Sequence, residues 1–184
     1  GTGHGSSGGE AEIVDHLLFS QAIVDATDSA DALKKLSQIL AMRFPLAKLT
    51  YAYFIARLSP TGHLDYVNAR QLAVHIKERA ELGPEHVQLK SQAVIVGEPS
   101  DVEYLKADEL YLAPGDSIFV STDGIFEAKY WNARAQKFSV VGKKAVAKLA
   151  HKPVSDVLHE LQTQLPGFEQ DDDILMIRIK RKSG

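Results

Sequence analysis

The 184-residue chain is 45% hydrophobic and 24% charged, the composition of a folded globular protein, which excludes a disordered or low-complexity chain. Its formal charge of −3 gives no electrostatic reason to expect nucleic acid or an anionic membrane surface as partner, and the closing Lys180-Arg181-Lys182 run reads as a solvated tail. With no cysteine there is neither a disulfide nor a thiolate metal site, and no apolar run approaches the roughly 20 residues that span a bilayer, so neither a transmembrane helix nor a signal peptide is expected.

In chain order, the glycine- and serine-rich start, residues 1–9, reads as a turn feeding a helix that carries Ile13, Val14, Leu17 and Leu18. A second helix is predicted from Asp28-Ser29, residues that cap helix starts. It carries Ala32, Leu33, Leu36, Ile39 and Leu40 on one side and stops before Pro45. Leu49 to Ala56 is rich in strand formers; Ser59-Pro60-Thr61-Gly62 reads as a turn, and Leu64 to Val67 as the hairpin partner. Further strands are expected at Leu72 to Ile76, near Val87 to Val96, and at Val102 to Leu112.

Pro114-Gly115-Asp116 is a turn, and Ser117-Ile118-Phe119-Val120 a short apolar strand that delivers Asp123 to its end, where Gly124 lets the backbone approach a ligand closely. Downstream, Val140 to Leu149 has helical spacing. Pro153, suited to the first helical position, opens another helix with Val157, Leu158, Leu161 and Leu165. Tyr130, Trp131 and Phe138 read as core packing or a flap under a loop, an exposed partner surface being the alternative. The triplet Asp171-Asp172-Asp173 precedes a last apolar strand, Ile174 to Ile179. Helices first, then antiparallel strands, then helices and a closing strand imply an α+β layered fold in a single domain over 1–184. Two carboxylate groups tied to strand ends are suited to converge on one hard cation, although a turn aspartate beside glycine and a solvated acidic loop are the plainer readings of each group alone.

The ordered set G-T-G-H-G at 1–5, L-D-Y-V-N-A at 64–69, L-A-P-G-D-S-I-F-V-S-T-D-G-I-F-E-A at 112–128 and Q-D-D-D-I-L-M-I-R-I at 170–179 resembles the metal-dependent protein phosphatases of the 2C type, in particular their bacterial SpoIIE-like branch. The resemblance implies an α-β-β-α sandwich with a binuclear Mn²⁺ or Mg²⁺ centre. It makes Asp123 and Asp172 metal ligands, matches Gly1 to a residue whose backbone carbonyl touches a metal, and implies a phosphorylated regulatory protein, such as an anti-sigma-factor antagonist, as a cytoplasmic substrate. Three departures stand out. The family's aspartate ahead of the first glycine is absent, so an N-terminally truncated domain is expected. The family's N-A-G-H is here Asn68-Ala69-Arg70-Gln71, and the threonine that follows its D-D-I is Leu175, here expected to be a core-facing strand residue.

Such chemistry accounts for oxygen ligands rather than imidazole or thiolate: two hard ions clamp phosphoryl oxygens and acidify a water, and no nucleophilic side chain is required. Asp171 and Asp173 are candidates for tuning charge around the ligands. His4 is a candidate for protonating the leaving group, with packing near the first helix as the alternative; its glycine-serine surroundings also have the composition of an expression-tag remnant. Glu127 reads as a residue that stabilises the turn. A P-loop is excluded because no Gly-Lys-Ser/Thr follows the first glycines. A non-catalytic binding or scaffold domain on the same fold is the competing expectation, motivated by the missing aspartate and the Arg70-Gln71 departure.

Overall fold

In a computed structural model of the protein, the structure describes residues 19–20, 22–43, 52–78, 83–92, 96 and 102–183. The chain forms two compact units, one from Gly1–Arg70 with Lys90–Tyr111, the other from Gln71–Leu89 with Leu112–Gly184. The predicted helix at Ile13 to Leu18, the first residues of the Leu49 strand, Gly1 and His4 lie outside the described residues.

In the first unit, α1 spans Ser29–Arg43 and buries Ala32, Leu33, Leu36 and Leu40, the helical spacing expected. Its start is set by side chains: the Asp31 N–H donates to Asp28 Oδ1 at 2.7 Å, and Asp31 Oδ2 accepts from the Thr27 N–H at 2.9 Å. Strands β1 (Tyr53–Leu58) and β2 (His63–Ala69) form the predicted hairpin around Gly62, whose φ of 94° only glycine adopts cheaply. The strand expected over Val102 to Leu112 contracts to β5, Asp108–Tyr111, which pairs antiparallel with β2. Val67, Ala69 and Ile55 from this sheet pack with Leu33, Leu36 and Leu40. Asp65 on β2 reaches the helix start, accepting from the Ser29 N–H at 2.8 Å and from Arg57 Nε at 2.9 Å. Burial by itself would raise the Asp65 carboxyl; the Ser29 N–H and the Arg57 guanidinium outweigh it and hold the group below its ordinary value.

The second unit is built on a four-stranded antiparallel sheet in the order β4-β3-β6-β9, with β3 Leu72–Lys77, β4 Glu85–Gln88, β6 Ser117–Ser121 and β9 Met176–Lys180. Between β6 and β9 lie α2 (Gly124–Glu127), the hairpin β7 (Lys129–Asn132) and β8 (Lys137–Val140), α3 (Lys143–Leu149) and α4 (Val154–Gln164). Val74 and Phe119 sit side by side in the register and share a core with Leu72, Ile76, Val146, Val157 and Leu161. Full burial of one such side chain contributes about 1.5 to 3 kcal/mol.

Several expectations are corrected. Val140 ends a strand instead of opening a helix, because Gly142 at φ 80° turns the chain before α3 begins. Pro153 stands one residue before α4, with extended backbone at ψ 140°. Near the strand expected at Val87 to Val96, the described residues form β4 at Glu85–Gln88, and the last strand is shifted to Met176–Lys180. Leu175 is 58% exposed and precedes that strand, so it is not core-facing; its N–H is spent on a hydroxyl described below. Among the described residues no helix is long and apolar enough to cross a membrane.

Candidate active site

The site begins at the turn before β6. Asp116 is buried, and its carboxylate gathers the turn: Oδ1 accepts from the Glu78 N–H at 3.1 Å, Oδ2 from the Ala113 N–H at 3.2 Å, and His75 Nε2 lies 2.9 Å from Oδ2. Buried polar groups need such partners, so this network fixes where β6 starts and hence where it ends. His75 was given no role by sequence spacing; its partner is 41 positions away.

At the other end of β6, Thr122 and Asp123 lead into α2. The Asp123 carbonyl accepts from the N–H groups of Phe126 and Glu127 at 3.0 and 2.9 Å, so its backbone closes the turn. Its side chain makes no capping hydrogen bond, is exposed, and has no hydrogen-bond partner among the described residues. The residue thus does its structural work through the main chain and leaves a carboxylate for another use.

Gly124 explains why the motif needs glycine. A Cβ built there would lie 2.5 Å from the Asp173 carbonyl oxygen and 2.9 Å from that of Asp172. The contact packs the strand-end turn directly against the acidic triplet. Thr122 stitches the same two segments: its Oγ1 donates to the Asp173 carbonyl at 3.1 Å and accepts from the Leu175 N–H at 2.9 Å, and its N–H donates to the Leu175 carbonyl at 3.0 Å. Thr122 is a site residue that sequence reasoning passed over, although it stands inside the T-D-G motif.

The three aspartates have different surroundings. Asp172 is exposed, and its Oδ1 accepts from the Asp173 N–H at 2.8 Å. Asp173 contributes its carbonyl to Thr122. Asp171 pairs with Lys129 on β7, and this hydrogen bond and charge raise the lysine above its ordinary value. Glu127 is exposed on α2.

The structure therefore brings the segments of Asp123 and Asp172 together, while Gly1 and His4 fall outside the described residues. Two exposed carboxylates suit a hard divalent cation in donor chemistry. Among the described residues no group of three or more His, Cys, Asp or Glu is arranged to hold a metal, so these residues supply only part of a cage.

Arg70, where the resembled motif has glycine, adopts φ 73°, a left-handed conformation that costs a non-glycine residue about 1 to 2 kcal/mol. The backbone keeps the glycine-type geometry while the side chain differs. In the first unit a concavity of about 680 Å³ is lined by Asp28, Lys34, Arg57 and Asp65 among others, and it contains none of the expected site residues.

With this geometry in place, comparison with solved structures defines the class. The SiaA-PP2C domain of Pseudomonas aeruginosa superposes with a TM-score of 0.76 at 18% identity, covering 97% of this chain and 72% of that one. The RsbU and RsbW domains of a Mycobacterium tuberculosis protein give a TM-score of 0.73 at 17% identity, over 99% of this chain and 51% of theirs. The structure of the PP2C phosphatase domain with a fragment of the regulatory domain of the cell fate determinant SpoIIE from Bacillus subtilis gives 0.69 at 16% identity, over 100% and 52%. The fold is thus the α+β fold of protein phosphatase 2C domains, and the chain spans about half the length of the latter two structures.

The family model for stage II sporulation protein E (SpoIIE) matches residues 1–182, and the chain belongs to that family. No match was found among curated proteins.

Proposed function

We propose that the chain is a metal-dependent protein serine/threonine phosphatase domain over 1–184 that hydrolyses a phosphomonoester on a cytoplasmic regulatory protein of the anti-sigma-factor-antagonist kind. The observation that carries this reading is the joining of the T-D-G turn to the acidic triplet through Gly124 and Thr122 in a member of the SpoIIE family. Asp123 and Asp172 would hold Mn²⁺ or Mg²⁺, a binuclear centre being drawn from the resemblance, with the Gly1 carbonyl as a further ligand and His4 as the leaving-group proton donor. When bound, such ions supply positive charge to the phosphoryl oxygens and acidify water. The chain's own contribution is placement. The Asp116 network and the Thr122 stitch hold the two loops, and Lys129 pairs with Asp171 beside them.

The test is hydrolysis of an aryl phosphate by the full chain with Mn²⁺, with EDTA and in Asp123→Asn, together with Mn²⁺ binding by calorimetry. Metal-dependent turnover that drops on the order of a hundredfold or more in Asp123→Asn, about 3 kcal/mol of barrier, is the expected result, with weakened Mn²⁺ binding alongside. Turnover that survives EDTA or Asp123→Asn would overturn it.

A non-catalytic binding domain on this fold is the second reading, favoured by the incomplete donor set among the described residues and by Arg70-Gln71. It requires partner binding that is indifferent to metal.

A further inference from the structure

Directly after α2 the second unit builds a hairpin that the phosphatase reading leaves without a task. Strand alternation gives it two faces. Tyr130 packs against the core, whereas Trp131 stands opposite Phe138 and Lys129 opposite Val140 on the other side. On this outer face Trp131 is 38%, Phe138 48% and Val140 59% exposed, and the two rings meet edge to face with centroids 5.5 Å apart. An aromatic pair beside a valine, all exposed on one small face, is the kind of surface that seats another chain.

Its charge is one-sided. Residues 129–144 carry Lys129, Arg134, Lys137, Lys143 and Lys144 and no carboxylate, within a chain of net charge −3. Lys129 is held by Asp171, and Lys143 lies 4.8 Å from the centroid of the Phe126 ring. Arg134, Lys137 and Lys144 have no ion pair among the described residues. The hairpin is also fixed to the candidate site: α2 joins it to Asp123, Lys129 bridges Glu169 through the backbone, and the Trp131 N–H donates to the Pro166 carbonyl at 2.8 Å.

We propose that the outer face and tip of this hairpin dock an acidic segment of the phosphoprotein substrate, with an apolar anchor residue of that segment on Trp131 and Phe138 and its carboxylates at the tip, on the exposed Arg134 of the turn and on Lys137, which stands opposite Asn132 on the Tyr130 side of the ladder. The assignment of a phosphoprotein rests on the reading under Proposed function; the complementarity to an acidic, apolar-anchored chain rests on the hairpin itself. Exposed charges of this kind give fast, salt-sensitive encounter, and a buried aromatic contact slows release.

The test uses the full chain and a fluorescein-labelled synthetic peptide containing phosphoserine, leucine and several glutamates, against the same peptide with lysines replacing the glutamates. Fluorescence polarisation at 50 and 300 mM NaCl reads binding, and aryl phosphate hydrolysis is followed in parallel. The expected result is that the acidic peptide binds, that binding weakens tenfold or more in the double variant Arg134→Glu/Lys137→Glu and at the higher salt, and that the lysine peptide does not bind. Aryl phosphate turnover stays unchanged in that variant, whose exchanged side chains are exposed and outside the core. A second variant, Phe138→Ser, checked for folding by circular dichroism, is expected to weaken binding without removing the salt dependence. Absence of binding to the parent chain, equal binding to Arg134→Glu/Lys137→Glu, or equal binding of the lysine peptide overturns the proposal. Hairpin-dependent binding with no aryl phosphate turnover in any form supports the docking surface and counts against the phosphatase reading instead.

Discussion

The aspartates around the start of α1 in the first unit and the aspartate at the end of β6 in the second are used in opposite ways. In the first, Asp28, Asp31 and Asp65 spend their carboxylates on backbone N–H groups around the start of α1, with Lys35 and Arg57 completing the neutralisation. In the second, Asp123 supports its turn through the main chain and keeps an exposed carboxylate without a hydrogen-bond partner among the described residues. A carboxylate saturated by the protein is part of the scaffold; one left open where two motif segments meet is available for chemistry.

That contrast can be broken at four points. The largest effect is expected from Gly124→Ala, because the added Cβ meets backbone oxygens that no side-chain rotation moves away. A loss of about 3 kcal/mol in urea unfolding is expected, although alanine is the better helix former, and retention of parental stability would show that the two segments part easily.

Next is Asp65→Ala, which strips the Ser29 N–H and Arg57 of their acceptor and should cost about 2 kcal/mol at neutral pH. The sign with pH follows from the lowered folded value. Below about pH 4 the unfolded chain takes up the proton before the folded one does, so the contribution is complete above roughly pH 5 and is lost as pH falls through the folded value. Stability curves of parent and Asp65→Ala should therefore converge in acid, and parallel curves would remove Asp65 from the account.

Arg70→Gly should stabilise by about 0.5 to 1 kcal/mol in thermal unfolding, by relieving the φ of 73°. A destabilised variant would mean that the arginine side chain holds the turn. The smallest effect on stability, within about 0.5 kcal/mol, is expected for Asp123→Asn, the same substitution expected to cost most in turnover; a large unfolding shift would make Asp123 another scaffold carboxylate.

What was legible in the sequence follows the reach of each interaction. Helix α1 is written locally, in its caps and its Leu33-Leu36-Leu40 spacing, and the β1–β2 hairpin in Pro60 and Gly62. The T-D-G and D-D-I segments were legible by resemblance, and the structure shows the contacts between them. The β7–β8 hairpin was missed because its turn has no glycine. Asn132 Oδ1 accepts from the N–H groups of Arg134 and Ala135 at 3.1 Å, and Gln136 takes the left-handed position at φ 52°. The tie from Asp65 to Ser29 and the His75–Asp116 pair join residues 36 and 41 positions apart, beyond any periodicity that a window on the sequence detects.

The Thr122 hydroxyl and the Leu175 N–H that it accepts are 53 positions apart, and β6 completes its pairing only when β9 arrives. During synthesis at about 5 to 20 residues per second, Asp123 leaves the ribosome roughly 3 to 10 s before its companion loop exists. A chain still being made therefore carries half of the candidate centre, and translation that stops within α4 yields a polypeptide with that half alone.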